Sequence, residues 1–320
     1  MPTCMGEKNS DIEMDKNGGD TKKDQKSNRF GIEAFAANMK EDAYDLYYPV
    51  QRGIVVDPDR ATKMLEHIFE HELKVDVKSI NVLMTDAPFN TKRHKQEMAE
   101  MMLDYFKVKS FSLMNTAVLS LFSTGKTCGL VAECGEAISC TVPVFEGYAL
   151  PHAMHYIDVA GQDVTKKLLE ELMISGEPVK EKHLQYVRDI KEQMCHVAYN
   201  YSEEMSSNED PLSFEERQYE LPDNVVIEVK HRKRLAAAEV LFNPEKIGYK
   251  YDEFNGEGDN SNLNGGIAKL AFESIKQCDS DLKVSLYNNI VLAGGTTMMN
   301  GFYERFDQEM RKLVHHSGDD

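Results

Sequence analysis

The sequence predicts an α/β protein in which a polar tail precedes a globular body. Segments with apolar residues at helical spacing alternate with short apolar runs that end at Gly or Pro, as helices and buried strands do. The composition, 41% hydrophobic and 28% charged, is typical of globular domains. Residues 7–29 carry six acidic and six basic residues and no aromatic one. Because such a segment buries too little apolar surface to offset its ordering entropy, residues 1–40 are predicted to be a disordered tail.

Charge and cysteine usage exclude several classes of protein. With 37 Lys and Arg against 54 Asp and Glu, the net charge of −17 disfavours nucleic acids and acidic membranes, which are bound through positive charge. We find neither an apolar run long enough to span a membrane nor a signal peptide. Six scattered cysteines without a CxxC pair argue against a disulfide scaffold or a zinc finger. We therefore expect a reduced intracellular compartment, protein partners, and neither nucleic acid, membrane nor metal; His152 and His155 form no metal-ligand pattern.

The first part of the body is predicted to alternate between helix and strand. A helix over 59–73 is indicated by apolar residues on one face: Met64, Leu65, Ile68, Phe69 and Leu73. The run INVLMTDAP (80–88) is typical of a buried strand stopped by Pro88. Asn90 and Thr91 can cap the next helix, whose inward residues are Met98, Met101, Met102, Tyr105 and Phe106. SLMNTAVLSLF (112–122) predicts a further helix that ends at Gly125.

The second part opens with a different pattern. CGLVAECG (128–135) and AISCTVPVFEG (137–147) are apolar runs joined by a short turn and predict a β-hairpin. The segments that follow are helices over 162–174 and 182–205, an acidic loop over 202–218, a turn and strand over 219–231, a polar insertion over 249–266, a helix over 267–277, a strand over 288–295 and a helix over 298–313.

Two of these strands end in glycine beside small or acidic residues. They are LVAECGEAIS and IVLAGGTTMM, and neither matches the P-loop or the dinucleotide fingerprint. Glycine at such a turn lets a phosphate approach the backbone N–H groups closely. When each run is taken alone, an ordinary structural turn is the better explanation.

Taken together with their surroundings, these runs resemble the actin family. The runs that carry the resemblance stand in the family's order: LMTDAPFN (83–90), TAVLSLFSTGKTCGLV (116–131), TVPVFEGYALPHA (141–153), DVAGQDVTKKLLEELM (158–173), VRDIKE (187–192), YELPD (219–223) and LYNNIVLAGGTTMMNG (286–301). The resemblance extends from Tyr48 to about Leu313. It implies an actin-type fold, with two RNase-H-like halves that hold ATP or ADP with Mg²⁺ between two phosphate hairpins.

The resemblance also implies a candidate nucleotide site. Its second phosphate hairpin falls at Glu133, Cys134, Gly135, Glu136 and Ala137. The adenosine side falls at Gly161, Asp163, Lys191, Glu192, Gly294, Gly295, Thr296 and Met299, and the last of these replaces the family's adenine-stacking Tyr. The alternative roles for these residues are a solvated helix pair, glycines required by a turn, and surface carboxylates.

Departures from the family pattern argue against ATP hydrolysis. The family's first phosphate hairpin is expected before Tyr48, where only the polar tail stands. The water-positioning Gln falls at Thr116 and the His that assists it falls at Cys140. Because losing one such group costs about 10²- to 10⁴-fold in rate, no catalytic residue is retained and a normal ATPase is not expected. Relative to the family, the fold is expected to be incomplete at both ends.

The family's partner-binding groove maps to Phe122, Ser123, Gly125, Thr127 and Tyr148. Aromatic residues beside a glycine suit docking of an amphipathic helix, and core packing is the alternative. The expected domains are the tail (1–40), a partial first large subdomain (41–127), a partial second large subdomain (128–160 and 250–320), and a smaller subdomain inserted in it (161–249).

Four functions remain open at this point. The first is a divergent cytoskeletal or structural subunit in the cytoplasm, which contacts actin-like subunits or actin-binding proteins. The second is a weak ATP-binding conformational switch that hinges near Ala137. The third is a nuclear actin-related subunit of a chromatin complex, suggested by KHRKR (230–234), which we interpret instead as a solvated strand end. The fourth is a decayed or mis-predicted gene product whose real ends are longer.

Overall fold

The computed structural model describes residues 4–8, 28–31, 33–34, 44–180, 183–207, 217–221, 224–247 and 265–317. The chain divides into two compact units, residues 1–116 and residues 117–320. Every helix in the described ranges is too short or too polar to cross a lipid bilayer. The division into four predicted segments stays a prediction.

Among its described residues, the first unit contains three small sheets. Its strands are β1 (Met5–Lys8), β2 (Arg29–Phe30), β3 (Tyr44–Tyr47), β4 (Val50–Gln51), β5 (Ile54–Val55), β6 (Asn81–Asp86) and β7 (Ser110–Asn115). The antiparallel order β2-β1-β3 forms one sheet, β4 and β5 form a hairpin, and β6 pairs with β7 in parallel. β1 and β2 are short strands that lie within the segment predicted to be a disordered tail. Burial of Cys4 and Met5 in this sheet supplies the apolar contact that composition alone did not reveal. Residues 1–3, 9–27, 32 and 35–40 of the predicted tail lie outside the described ranges.

Two helices pack in the first unit where the sequence predicts them. They are α1 (Pro58–His67) and α2 (Lys92–Glu100), each continued by a wider turn, over Ile68–Leu73 and Met101–Tyr105 respectively. Asp57 caps α1 and Thr91 caps α2, because each side chain accepts a hydrogen bond from a first-turn N–H group. Phe69, Met102, Phe106 and Val108 form the buried core of this unit. Leu73 and Tyr105, expected to face inward, are mostly exposed because the helical period changes in the wider turns.

The prediction of one helix over 112–122 was wrong in its first half. Residues up to Asn115 form β7, which pairs with β6 from Ser110 opposite Asn81 to Asn115 opposite Asp86. The helix is confined to α3 (Thr116–Phe122). A short apolar run fits both periods, and here the parallel strand partner decides in favour of the strand. β6 itself alternates between exposed and partly buried positions, so the expectation of a fully buried strand was also wrong.

A five-stranded sheet organises the second unit. Its strands are β8 (Gly129–Cys134), β9 (Ser139–Phe145), β10 (Tyr148–Ala149), β11 (His155–Ile157) and β14 (Ile290–Ala293), in the order β10-β9-β8-β14 with β11 also on β9. A separate hairpin joins β12 (Gln218–Glu220) and β13 (Val226–Glu228). The predicted β8–β9 hairpin is confirmed. β14 pairs with β8 in parallel, which brings Ala293 opposite Glu133.

Helices cover this sheet and enclose a large apolar core. They are α4 (Gly161–Ile174), α5 (Leu184–Met194), α6 (Tyr201–Ser206), α7 (His231–Ala238), α8 (Ile267–Lys276), α9 (Ser280–Asn288) and α10 (Phe302–Ser317). Short 3-10 turns stand at Pro151–Ala153, Glu239–Leu241, Pro244–Ile247 and Gly295–Met298. The buried Ser274 on α8 hydrogen-bonds Thr141 on β9 over 2.6 Å between the two hydroxyl oxygens. This bond satisfies two polar groups inside the core.

Several predictions about these helices need correction. The single helix predicted over 182–205 is in fact two helices. The helix is interrupted because the backbone becomes extended at Cys195 and His196 forms a β-bridge with Asn300. α7 and α9 were not predicted. The run KHRKR begins α7 and its Arg234 is fully buried, so the interpretation as a solvated strand end was wrong. Most of the polar insertion and of the acidic loop lies outside the described residues.

Candidate nucleotide cleft

The β8–β9 turn is tied to two other elements by backbone carbonyls. The carbonyl of Gly135 accepts hydrogen bonds from the N–H of Gly161 at 3.1 Å and from Thr296 Oγ1 at 2.7 Å. The carbonyl of Glu136 accepts one from the N–H of Gln162 at 2.7 Å. The hairpin turn, the start of α4 and the Gly295–Met298 turn therefore form one hydrogen-bonded cradle.

Glycine is required where these elements meet. A Cβ atom on Gly161 would lie 2.5 Å from Thr296 Oγ1 and 3.1 Å from Glu136 Oε2. Gly294 has φ of +89°, and a Cβ there would lie 2.3 Å from the carbonyl oxygen of Cys134. These contacts give both glycines a structural reason to be present, independent of any ligand.

Lys191 lies at the bottom of the cradle and is only 5% exposed. Its Nζ donates to the carbonyl oxygen of Gly161 at 3.2 Å and lies 3.6 Å from Glu136 Oε2. On the adjoining turn of α5, Arg188 lies 3.8 Å from Glu136 Oε1 and pairs with Glu192 at 3.0 Å. The hairpin carboxylate is thus flanked by two cations from α5.

These elements line a cavity of about 490 Å³. Seven of the residues that the resemblance implied for the nucleotide line it: Gly135, Glu136, Lys191, Glu192, Gly295, Thr296 and Met299. Arg188 and Met298 also line it and were not predicted. Arg188 stands four residues before Glu192 on α5, so helical spacing is the signal that places the two side chains on one face.

The other predicted nucleotide residues have positions outside the cavity wall. Asp163 is buried and accepts a hydrogen bond from the Ala160 N–H at 2.9 Å, which caps α4. Cys134 is buried in the sheet beside Ser139, and burial raises the pKa of its thiol to about 12. Glu133 lies on β8 opposite Cys140, while Gly161 and Gly294 hold the cradle together from behind.

The two residues at the family's catalytic positions, Cys140 and Thr116, lie in different environments. Cys140 is 2% exposed and is the second residue of β9, between Glu133 on β8 and Tyr156 on β11. Burial raises the pKa of its thiol far above the ordinary value, so the sulfur stays protonated at neutral pH and is a poor base. Thr116 is half-buried at the first position of α3 and is the last residue of the first unit.

The cavity lining suits a nucleoside better than a triphosphate. Thr296, Met299 and Glu192 offer a polar and an apolar wall together, as ligand sites commonly do. The cations Lys191 and Arg188 already pair with Glu136, whose carboxylate stands at the turn that the family resemblance implies for phosphates. An added polyphosphate would have to compete with that carboxylate for the same positive charges.

The residues predicted for the partner groove surround a second feature, which we call the aromatic patch (Phe122, Phe145 and Tyr148). These side chains are 40%, 38% and 77% exposed. Tyr148 pairs with Phe145 across the β9–β10 turn, and a Cβ on Gly147 in that turn would lie 3.0 Å from Phe122 Cζ.

The other three predicted groove residues border the patch. Ser123 and Gly125 lie in the turn that follows α3. In this turn the N–H of Gly125 donates to the carbonyl of Phe122 at 2.9 Å. The carbonyl of Thr127 accepts a hydrogen bond from the N–H of Gly147, also at 2.9 Å. The five predicted residues therefore lie around one surface of the second unit.

One comparison with known proteins bears on these features. A family model described as Actin matches residues 1–319, which is nearly the whole chain.

Proposed function

The chain belongs to the actin family, and from that premise we propose that it is a structural subunit that acts through protein contacts and does not hydrolyse ATP. The observation that carries the proposal is the aromatic patch, in which three large aromatic side chains lie around one turn and remain exposed on one surface of the second unit. The partner we propose is an actin-like subunit or an actin-binding protein that presents an amphipathic helix.

The residues at the catalytic positions support the proposed absence of turnover. A buried, protonated thiol at Cys140 neither accepts a proton from water nor orients it. The ion pair between Lys191 and Glu136 supports the same conclusion, because it neutralises the cleft without a phosphate ligand.

Sedimentation velocity of the full chain, alone and mixed with purified actin, tests the contact. Tyr148→Ala is expected to weaken association at least tenfold, since exposed aromatic anchors dominate interfaces of this kind. Tyr199→Ala is the matched control, because Tyr199 is 55% exposed and lies outside the patch. Equal effects of the two variants, or no association with actin or with itself, would count against the patch as the contact surface. Phosphate release from Mg-ATP above background would overturn the claim of no turnover.

A second candidate function, a weak nucleotide-binding switch, is favoured by the cavity at the cradle. Mg-ATP at millimolar concentration would then raise the midpoint of thermal unfolding, because a ligand that binds only the folded state stabilises it. Glu192→Ala should reduce that shift, since Glu192 lines the cavity and is largely exposed. An unchanged midpoint in the parent chain would eliminate this candidate.

The place of action is part of the same proposal. We propose the cytoplasm, with the nucleus as the alternative. Burial of Arg234 inside α7 weighs against an import signal over 230–234, because an import receptor needs exposed basic side chains.

A further inference from the structure

Two histidines and a glutamate converge in the second unit, and none of the three lines the cavity described above. Among the described residues, His196, Glu204 and His231 each offer one ligand atom, and these atoms lie within 4.8 Å of one another. They come from three different elements: the extended segment after α5, the short helix α6, and the first position of α7. Such convergence of residues far apart in sequence depends on the tertiary fold.

The three side chains are held in place by their neighbours. The imidazole rings of His196 and His231 stack with centroids 5.3 Å apart and an angle of 22° between their planes. The backbone at His196 bridges Asn300. Glu204 Oε1 accepts a hydrogen bond from the N–H of Asn200 at 3.2 Å.

We propose that His196, Glu204 and His231 bind one divalent transition metal ion, with Zn²⁺ the best match. Two imidazoles and a carboxylate form a donor set that zinc accepts with ligand distances of about 2.0–2.2 Å. Tetrahedral geometry at those distances places ligand atoms about 3.4 Å apart, so the present separation closes with small side-chain rotations. This site is independent of the proposed function, and sequence reasoning, which expected no metal, missed it because the ligands have no local spacing.

Space for a fourth ligand is present beside the cluster. His196 lines a cavity of about 250 Å³ together with Arg234, Asn300 and Gly301, and none of its lining residues belongs to the nucleotide cleft. The positive charge of Arg234 opposes a cation nearby, so the carboxylate of Glu204 is needed to offset it. A water molecule or a small anion is the fourth ligand that suits this cavity.

The consequence of binding would be structural. One ion would fasten α6 and the start of α7 to the segment that follows α5. Because the ligands converge only in the folded chain, metal binding and folding would be coupled. Zn²⁺ would therefore raise the midpoint of unfolding, and a chelator would lower it again.

The experiment uses the full chain without a histidine affinity tag. His315 and His316 form an exposed pair on α10 that can hold zinc weakly, so the H315N/H316N variant serves as the background. In that background we expect saturable binding of one Zn²⁺ per chain by calorimetry, and Co²⁺ in its place should give the visible absorption of a tetrahedral site. His231→Asn or Glu204→Gln should weaken zinc binding at least 100-fold, since even an outer-shell partner of a metal ligand is worth about 10- to 100-fold.

The outcomes separate clearly. Circular dichroism checks that each variant folds, and Glu204→Gln, which preserves side-chain shape, replaces His231→Asn if the latter does not. The proposal is overturned if the H315N/H316N background shows no saturable binding at micromolar Zn²⁺. It is equally overturned if Glu204→Gln and His231→Asn bind zinc as tightly as the background does. If neither ligand variant folds, the background alone still tests the proposal, because an unfolding midpoint that Zn²⁺ leaves unchanged would contradict it.

Discussion

Arg305 donates hydrogen bonds to both carboxylate oxygens of Glu239, at 3.2 and 3.1 Å, and both residues are almost completely buried. The same guanidinium donates to the carbonyl of Ala198 at 2.9 Å. Arg305 lies on α10 and Glu239 follows α7, so this pair joins the last helix of the chain to the middle of the second unit.

Removing the charge of Glu239 should destabilise the protein strongly. Glu239→Gln leaves the buried guanidinium with only the partly exposed Glu309 as a counter-charge, and the expected loss is about 3 kcal/mol in the free energy of unfolding by urea. Glu309→Gln is the control, because Glu309 also pairs with Arg305 but is 29% exposed. Its expected cost is below about 1 kcal/mol. Equal costs for the two variants would contradict the view that burial makes the difference.

The two glycines after β14 should respond differently to alanine. Gly294→Ala places a methyl group 2.3 Å from a backbone oxygen at a positive φ, and the expected destabilisation is at least about 1–3 kcal/mol. Gly295→Ala meets no atom within 4 Å and should be nearly neutral. Thermal unfolding of both variants checks the difference. A neutral Gly294→Ala would mean that the turn relaxes at little cost.

The ion pair in the cleft should be measurable as a coupling between two substitutions. Lys191→Met removes a nearly buried ammonium that contacts both Gly161 and Glu136, while Glu136→Gln removes only one of those contacts. In a double-mutant cycle we expect a coupling energy between about 0.5 and 3 kcal/mol in stability. The same cycle with Arg188→Met should give less, because Arg188 is 40% exposed and lies 3.8 Å from Glu136. A coupling near zero at Lys191 would contradict the argument that the ion pair between Lys191 and Glu136 neutralises the cleft without a phosphate ligand.

Stability should fall as the pH rises above 9. Burial raises the pKa of Cys134 and of Cys195 to about 12 from the ordinary 9.0. Below pH 9 folded and unfolded chains both keep these protons, so the thiols have no effect on stability. Between pH 9 and 12 the unfolded chain releases them while the folded chain retains them, which favours unfolding by up to about 1.4 kcal/mol per pH unit for each thiol.

Urea unfolding at pH 8 and pH 10 in the presence of a chelator measures this effect. Cys195→Ala should lose less stability between the two pH values than the parent chain does. Cys128→Ala is the control, since Cys128 is only partly buried, and it should keep the parent's pH dependence. A parent chain equally stable at both values would show that the buried thiols do not govern alkaline unfolding.

Strong local patterns predicted much of the fold. The β8–β9 hairpin, α4 and α8 were predicted because period, turn residues and length agree in those segments. β7 and the break after α5 were missed for a different reason. A strand partner 29 residues away in sequence holds Ser110 opposite Asn81, and a bridge to Asn300 holds His196, and neither contact leaves a local signal.

The cleft was predicted only through the family resemblance. Spacing alone does not reveal that Lys191, Gly135 and Thr296 meet, because they stand on three elements far apart in the chain. Helical spacing alone could have indicated Arg188, because it stands four residues before Glu192 and therefore lies on the same face of α5. The cluster of His196, Glu204 and His231 lay beyond sequence reasoning for the same reason as the cleft, and no resemblance pointed to it.

The parallel pairing of β14 with β8 limits how early the sheet of the second unit can finish folding during synthesis. β8 and β9 emerge from the ribosome about 150 residues before Ile290, the first residue of the strand that completes their sheet. Until then one edge of β8 presents unpaired backbone groups to solvent. Nascent chains of this protein are therefore expected to engage chaperones over this interval, and translational pausing before residue 290 should increase their aggregation.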